Sequence, residues 1–201
     1  PAQGNYRTIY TTAHDYKVID QEQELKELAG MLDGSTGFCF DTETTGLDTR
    51  EAELVGMAIS RKSHEAYYIP FPADRLKANQ ILSILKPVFE NKAIKKTGQN
   101  LKFDIQILMN YGIAVEGELF DTMIAHYLIQ PDLRHNMDYL AEIYLDYKTV
   151  HIEELLGKKG NTMKNMRDVD LHQVKEYAGE DADITLQLSE ILAAELQKSG
   201  L

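Results

Sequence analysis

Two acidic residues follow an apolar run in the stretch FCFDTETTGLD, residues 38–48. Side chains of an extended strand alternate between its two faces, so Asp41 and Glu43 are neighbours on one face. Two carboxylates that lie close together repel each other, and removing them from water costs further free energy. A divalent cation would compensate for both effects, because hard cations prefer carboxylate oxygens. The alternative is a strand end followed by an acidic turn that closes at Gly46, and this stretch alone leaves both interpretations open.

Two further acidic residues interrupt the apolar faces of predicted helices. The core-facing positions of the first helix follow the i, i+3, i+4, i+7 spacing and hold Leu101, Asp104, Ile105 and Leu108. The core-facing positions of the second helix hold Val174, Tyr177, Asp181, Ile184 and Leu188. Three more acids of the second helix are predicted on its outer side, namely Glu176, Glu180 and Asp183. A single buried Asp is usually structural, but the two interruptions and the strand pair together favour one site in which four carboxylates hold two divalent cations.

Tyr177 precedes Asp181 by four residues, which places the two side chains one turn apart on the same helix face. Its hydroxyl could hydrogen-bond a water molecule at the predicted cation site. The alternative is an ordinary core tyrosine whose hydroxyl finds a protein partner. The six histidines show no ligand spacing with one another, so they are predicted to be surface or packing residues.

Strand and helix signals alternate along the chain. Strands are predicted over residues 16–19, 37–41, 54–60, 65–70 and 92–97. Helices are predicted over residues 21–32, 79–89, 101–112, 121–128, 137–145 and 170–196, the last as one long helix or two in tandem. Asn79 and Asn100 are predicted to cap two of these helices. This order indicates an α/β fold, with a mixed central β-sheet flanked by α-helices.

Composition limits the class of protein. The chain has 201 residues, of which 43% are hydrophobic, and this suits one domain with a full core. Cys39 is the single cysteine, which excludes a disulfide framework and favours a reducing cytoplasm. No apolar run approaches the ~20 residues of a membrane span, and the N-terminus lacks a signal-peptide pattern. The net charge of −11 argues against a protein that coats nucleic acid, but it is compatible with a metal-dependent nuclease.

Four motifs carry a resemblance to a known family. FDTETTGLD, TGQNLKFD, FDTMIAHYL and YAGEDADITLQL resemble, in order and spacing, the motifs of the proofreading 3'-5' exonuclease domain of bacterial DNA polymerase I. That family belongs to the DEDD exonucleases whose last motif is Tyr-x-x-x-Asp, and the resemblance runs from about Tyr6 to Leu196. It implies a ribonuclease H-like fold and a single exonuclease domain over residues 1–201. It also implies that the chain is a fragment of a longer, cytoplasmic bacterial polymerase.

The resemblance also implies roles for individual residues. Metal ligands are expected at Asp41, Glu43, Asp104 and Asp181, with two divalent ions, Mg²⁺ or Mn²⁺, and Zn²⁺ as a further candidate. Tyr177 is expected to orient the water that attacks the phosphodiester. Leu47 is expected to act as a wedge against the terminal base, and contacts to the DNA end are expected from Gln99, Asn100, Phe103 and Arg134. The implied partners are single-stranded DNA or a frayed DNA 3' end, and a polymerase domain in the same full-length chain.

Two alternatives and one further surface remain open. Ribonuclease D-like exoribonucleases share the Tyr-x-x-x-Asp motif, and a catalytically inactive scaffold domain of a polymerase would keep the fold. Two groups of basic residues could form a rim that holds a strand's phosphates, or could simply be solvated. They are Lys92, Lys95, Lys96 and Lys102 in the first group, and Lys158, Lys159, Lys164 and Arg167 in the second.

Overall fold

The structure is a computed structural model that describes residues 6–157 and 165–200. Its strands are β1 (Asp15–Val18), β2 (Gly37–Thr44), β3 (Leu54–Lys62), β4 (Glu65–Pro70), β5 (Lys95–Gly98) and β6 (Leu119–Asp121). They form one sheet in the order β1-β4-β3-β2-β5-β6. The pairs β2–β3 and β3–β4 are antiparallel, whereas β1–β4, β2–β5 and β5–β6 are parallel. The predicted mixed central sheet is therefore confirmed.

Seven α-helices surround this sheet in the described part of the chain. They are α1 (Glu22–Asp33), α2 (Arg75–Phe89), α3 (Leu101–Asn110), α4 (Thr122–Ile129), α5 (Met137–Leu145), α6 (Ile152–Leu156) and α7 (Leu171–Ser199). The stretch 170–196 forms one long helix and not two in tandem. The short helix α6 was not predicted, because five residues are too few to display a helical period.

Two predicted helix caps differ from the structure. Helix α2 begins a turn before Asn79, because the carboxylate of Asp74 accepts hydrogen bonds from the backbone N–H groups of the first turn. Asn100 does occupy the position before α3, but in a left-handed conformation with φ of 60° and without a side-chain cap. The carboxylate of Asp121 supplies the cap in its place, because it accepts hydrogen bonds from the backbone N–H groups of Asn100 and Leu101, at 3.1 and 2.9 Å. A cap supplied from a distant strand leaves no local sequence signal.

The sheet separates two apolar layers. Phe38 and Phe40 of β2 pack with α1 and α2 in the larger layer. Val55 and Ala58 of β3 pack with α7 in a smaller one. Because side chains alternate along β2, Asp41 and Glu43 lie on the face opposite to the two phenylalanines, which is the α7 face. Helix α7 packs against β2, β3 and β4 and therefore covers the strand that carries the acidic pair.

Helix α7 buries acids on more than one side. Glu180 and Asp183 were predicted on its outer face, but both side chains are buried. The prediction was wrong because α7 is enclosed by the sheet and by α4 and α5, so it has no wholly solvent-facing side there. Glu180 accepts hydrogen bonds from the Tyr147 hydroxyl and the Val150 backbone N–H, at 2.7 and 2.8 Å. The Tyr16 hydroxyl donates to Asp183 at 2.7 Å. These partners satisfy both carboxylates structurally.

Within the ranges that the structure describes, none of the helices combines the length and the apolar character that crossing a membrane requires.

Candidate active site

Three carboxylates meet where α7 crosses β2. Asp41, Glu43 and Asp181 each offer an oxygen, and these oxygens all lie within 4.8 Å of one another. The side chains of Glu43 and Asp181 are 6% and 9% exposed. Among the described residues, Glu43 Oε1 and Asp181 Oδ1 are buried and have no hydrogen-bond partner. Buried oxygens that converge without donors are the arrangement that a hard divalent cation satisfies, so the residues present fit such an ion.

Asp104 lies beside this group of three carboxylates, but it does not belong to the set whose oxygens all lie within 4.8 Å of one another. It projects from the first turn of α3, and its Oδ1 accepts hydrogen bonds from the backbone N–H and the hydroxyl of Thr42, at 3.0 and 2.6 Å. Its negative charge contributes to the raised pKa of Glu43. Thr42 was not predicted as a site residue, although its place inside the D-T-E stretch was the available signal.

The four acids hold their protons more tightly than acids in water do. Burial raises the pKa of Asp41, Asp104 and Asp181 well above the ordinary range, with the charge of a neighbouring acid adding to each. Burial and the charge of Asp104 raise the pKa of Glu43 to about 8. Without metal, protonation of these acids therefore reduces the repulsion between their carboxylates. A bound cation would displace those protons.

Tyr177 stands at the rim of the acidic group, one turn before Asp181 on α7. Burial raises the pKa of its hydroxyl, and the charges of Asp181, Glu43 and Asp41 raise it further. The phenol consequently stays protonated and can donate a hydrogen bond. Its half-buried ring also borders a cavity of about 490 Å³ that is lined in part by Tyr10. These features are compatible with the expected role of Tyr177 towards a water molecule.

The residues expected to contact DNA differ in their exposure. Leu47 lies in the connection between β2 and β3 with 90% of its side chain exposed. Arg134 is exposed in the loop between α4 and α5. Gln99, Asn100 and Phe103 are half-buried at the junction of β5 and α3, the helix that carries Asp104. All five therefore remain candidates for substrate contacts.

Gln99 is held by the loop that carries Arg134. Its side-chain amide donates to the carbonyl oxygen of His135 at 2.7 Å, and its amide oxygen accepts from the hydroxyl of Thr122. The Nδ1 atoms of His135 and the fully buried His126 lie 2.7 Å apart. The group of potential metal-ligating side chains found among the described residues contains no histidine.

The predicted basic rim is wrong for two of its members. Lys96 is buried, and its ammonium group donates to the carbonyl oxygens of Asn91 and Glu116. Arg167 donates to the carbonyl oxygens of Phe71 and Leu54, so it tethers its segment to the ends of β3 and β4. Both cations are used for structure, because buried carbonyl groups need donors.

The other members of the two basic groups differ in their surroundings. Lys92 and Lys95 pair with acids, Glu116 and Glu118 respectively. Lys102 is exposed on α3. Lys158, Lys159 and Lys164 lie outside the described residues.

Comparison with known proteins identifies relatives of this chain. The family model described as 3'-5' exonuclease matches residues 16–197. The chain is 38% identical over 197 residues to DNA polymerase I of Borreliella burgdorferi, covering 96% of this chain and 21% of the relative. It is 34% identical over 203 residues to DNA polymerase I of Pseudomonas aeruginosa, covering 96% of this chain and 22% of the relative. The chain thus spans about a fifth of the length of these relatives.

Solved structures share the fold at low sequence identity. Escherichia coli RNase D aligns with a TM-score of 0.72 and 20% identity, over 92% of this chain and 46% of that one. The catalytic core of RRP6 from Trypanosoma brucei aligns with a TM-score of 0.70 and 22% identity, over 94% of this chain and 51% of that one. These nucleases have a ribonuclease H-like fold, so the expected fold class is confirmed.

The family match extends over almost all of the described fold and includes the strand and both helices that carry the acidic residues. The two relatives described above, each more than 30% identical to this chain, are DNA polymerases I. The chain therefore belongs to the 3'-5' exonuclease family of DNA polymerase I.

Proposed function

We propose that this chain hydrolyses the terminal phosphodiester bond at DNA 3' ends, releases nucleoside monophosphates one at a time and proofreads for a polymerase domain in the same full-length chain. The observation that carries the proposal is the convergence of Asp41, Glu43 and Asp181 within 4.8 Å, with two buried oxygens that lack donors among the described residues. The family match supports the reaction and its polarity.

The acidic residues would hold two divalent cations, Mg²⁺ or Mn²⁺, with Zn²⁺ as a further candidate. Asp41, Glu43 and Asp181 supply the convergent oxygens, and Asp104 lies beside them. When bound, such ions would supply activation of a water and charge stabilisation for the leaving 3'-oxygen. The hydroxyl of Tyr177 is protonated and orients the attacking water. No histidine or lysine is needed as a general base.

The remaining residues are proposed to bind the DNA end. Leu47 parts the last base from its neighbour, and its 90% exposure supports this role, since so exposed a side chain contributes little to the described fold. Gln99, Asn100, Phe103 and Arg134 contact the terminal nucleotides. Unstacking a base costs a few kcal/mol and is least costly for a mismatched or single-stranded end. Single-stranded and frayed ends are therefore the preferred substrates.

The polymerase context follows from the lengths of the relatives. Because the chain spans about a fifth of each related DNA polymerase I, we infer that it is one part of a longer polymerase of the bacterial cytoplasm. The exonuclease would then receive 3' ends that the polymerase has extended wrongly.

RNA is a second candidate substrate, because a solved structure with the same fold is that of RNase D, an exoribonuclease involved in structured RNA processing. The test is digestion of matched 5'-labelled DNA and RNA strands in Mg²⁺, in Mn²⁺ and in excess chelator. We expect a ladder of shortened DNA strands that needs metal. Faster digestion of RNA would favour the second candidate, and label released as the first product would contradict the polarity. Digestion of neither strand would favour the inactive scaffold, and full activity in excess chelator would exclude the metal mechanism.

A further inference from the structure

Tyr68 approaches the active site from the sheet itself. It lies on β4 with 2% of its side chain exposed, and it faces Ala58 of β3, which in turn faces Asp41 of β2. Residues that oppose one another across a sheet share a face. The ring of Tyr68 is therefore on the same face as Asp41 and Glu43, two strands away.

A glycine makes room for this ring. A Cβ atom on Gly56 would lie 1.9 Å from the Tyr68 hydroxyl oxygen and 2.3 Å from the ring carbon that bears it. The end of the phenol thus occupies the space in which a side chain of residue 56 would begin. Gly56 is the register partner of Glu43 on the neighbouring strand.

The hydroxyl consequently lies beside Glu43. The Cβ atoms of opposed residues in an antiparallel pair are separated by roughly 4.5–5.5 Å, so a group at the Cβ position of residue 56 is within reach of the Glu43 carboxylate. Glu43 Oε1 is buried and has no hydrogen-bond partner among residues 6–157 and 165–200. After burial itself, the charge of Glu43 is the next largest cause that raises the pKa of Tyr68.

In this structure Tyr68 and Glu43 are not hydrogen-bonded, and Glu43 Oε1 is without a donor among the described residues. We propose that Tyr68 is a positioning residue whose hydroxyl donates a hydrogen bond to Glu43 when the carboxylate is ionised to bind a divalent cation, and so fixes the orientation in which Glu43 meets that cation. Carboxylate ligands are commonly held by hydrogen bonds of this kind, and loss of such a partner costs 10–100-fold in metal affinity or activity. The inference rests on the proposed function, because it takes Glu43 as a metal ligand.

The test compares Tyr68→Phe with Tyr67→Phe. The first variant keeps the ring over Gly56 and removes only the hydroxyl. The control removes the hydroxyl of the adjacent half-buried tyrosine, which points to the opposite face and packs against the other core layer. Mn²⁺ affinity is measured by calorimetry, the free energy of unfolding by denaturant titration without metal, and kcat by single-turnover digestion. We expect Tyr68→Phe to weaken Mn²⁺ binding about 10–100-fold, and Tyr67→Phe to leave it unchanged.

A double-mutant comparison separates orientation of Glu43 from general packing. In a Glu43→Gln background, Tyr68→Phe should cause no further loss of Mn²⁺ affinity, because the carboxylate that it positions is gone. Wild-type affinity in Tyr68→Phe, or equal losses in both tyrosine variants, would overturn the positioning role and leave the proposed function intact. A wild-type protein that neither binds Mn²⁺ nor digests DNA or RNA would overturn the proposed function, and this inference with it.

Discussion

Thr42 donates two hydrogen bonds to the same oxygen of Asp104, one from its backbone N–H at 3.0 Å and one from its hydroxyl at 2.6 Å. Both bonds favour the ionised form of Asp104 and oppose the effect of burial on its pKa. Thr42 lies between Asp41 and Glu43 in sequence. The three-residue stretch D-T-E therefore supplies two carboxylates directly and orients a third that lies on another element.

Replacing Thr42 tests this relationship. Thr42→Val keeps the backbone bond and the side-chain shape but leaves Asp104 with one donor fewer, so its pKa should rise and its affinity for a cation should fall. We expect Mn²⁺ affinity or kcat to decrease about 10–100-fold, as measured by calorimetry and single-turnover digestion. Thr49→Val is the matched control, since its hydroxyl donates to Gln106 in an exposed position. Equal activities in the two variants would show that the hydroxyl bond does not matter for the site.

Replacing Asp181 and replacing Tyr177 should have different effects on metal binding and on digestion. Asp181→Ala removes a ligand oxygen, so metal binding and digestion should both collapse. Without metal the variant should keep or gain stability, because holding the buried Asp181 protonated against its ordinary pKa costs free energy that alanine does not require. Tyr177→Phe removes only the hydroxyl, so metal affinity should stay near the wild-type value while kcat falls about 10–10³-fold.

The two outcomes are separated by metal titration and single-turnover digestion of both variants. Wild-type kcat in Tyr177→Phe would make Tyr177 a packing residue. Normal binding of two metal ions by Asp181→Ala would remove Asp181 from the site.

The pH dependence of stability should reveal the acids that hold protons. Glu43 has a pKa of about 8 in the folded protein, above the ordinary value of about 4.3. A group whose pKa is raised by folding stabilises the protein at low pH, and this contribution is lost as pH rises towards the folded pKa. The melting temperature in chelator should therefore be lower at pH 8.5 than at pH 6.5.

Added Mg²⁺ should raise the melting temperature more at pH 8.5 than at pH 6.5, because fewer protons then compete for the site. Glu43→Gln is the control and should reduce the pH dependence in chelator without abolishing it, because the pKa values of Asp41, Asp104 and Asp181 are also raised. A melting temperature that rises between pH 6.5 and pH 8.5 in chelator would contradict the assignment of raised pKa values.

Leu47 should matter for duplex ends and not for the fold. Its side chain is 90% exposed, so Leu47→Ala should change the free energy of unfolding by no more than about 0.5 kcal/mol. Digestion of a matched duplex end should slow more than digestion of a single strand, because only the duplex needs its last base parted. Leu76→Ala, at a side chain 75% exposed on α2, is the control and should slow neither substrate. Equal slowing of both substrates in Leu47→Ala would exclude the wedge role.

Much of this architecture could be predicted from periodicity. Asp41 and Glu43 share a face because a strand alternates, and Asp104 and Asp181 lie inward because helical spacing aligns them with apolar neighbours. The prediction for Glu180 and Asp183 failed because it assumed that a helix has one buried side, which does not hold for α7.

Partners from distant elements could not be predicted. Asp121 caps α3 from a neighbouring strand, and the reach of Tyr68 depends on the missing side chain of Gly56 on another strand. Neither contact occurs at a fixed spacing in the sequence, so no periodic pattern predicts it. Lys96 shows the same limit, because its neighbours in sequence suggested a basic surface while the carbonyl groups that hold it come from two separate segments.

The long helix α7 determines when the acidic site can form during synthesis and folding. Asp41 and Glu43 lie on the second strand, whereas Asp181 lies on the last helix. Their contact therefore joins residues that are separated by most of the length of the chain. Contacts of such long range form late in folding, since the intervening loop must first lose its entropy. As the ribosome extends the chain, Asp41 and Glu43 lack the carboxylate of Asp181 until α7 has emerged. If the proposed site is the active one, a nascent fragment that ends before α7 lacks Asp181 and Tyr177 and should not cleave nucleic acid.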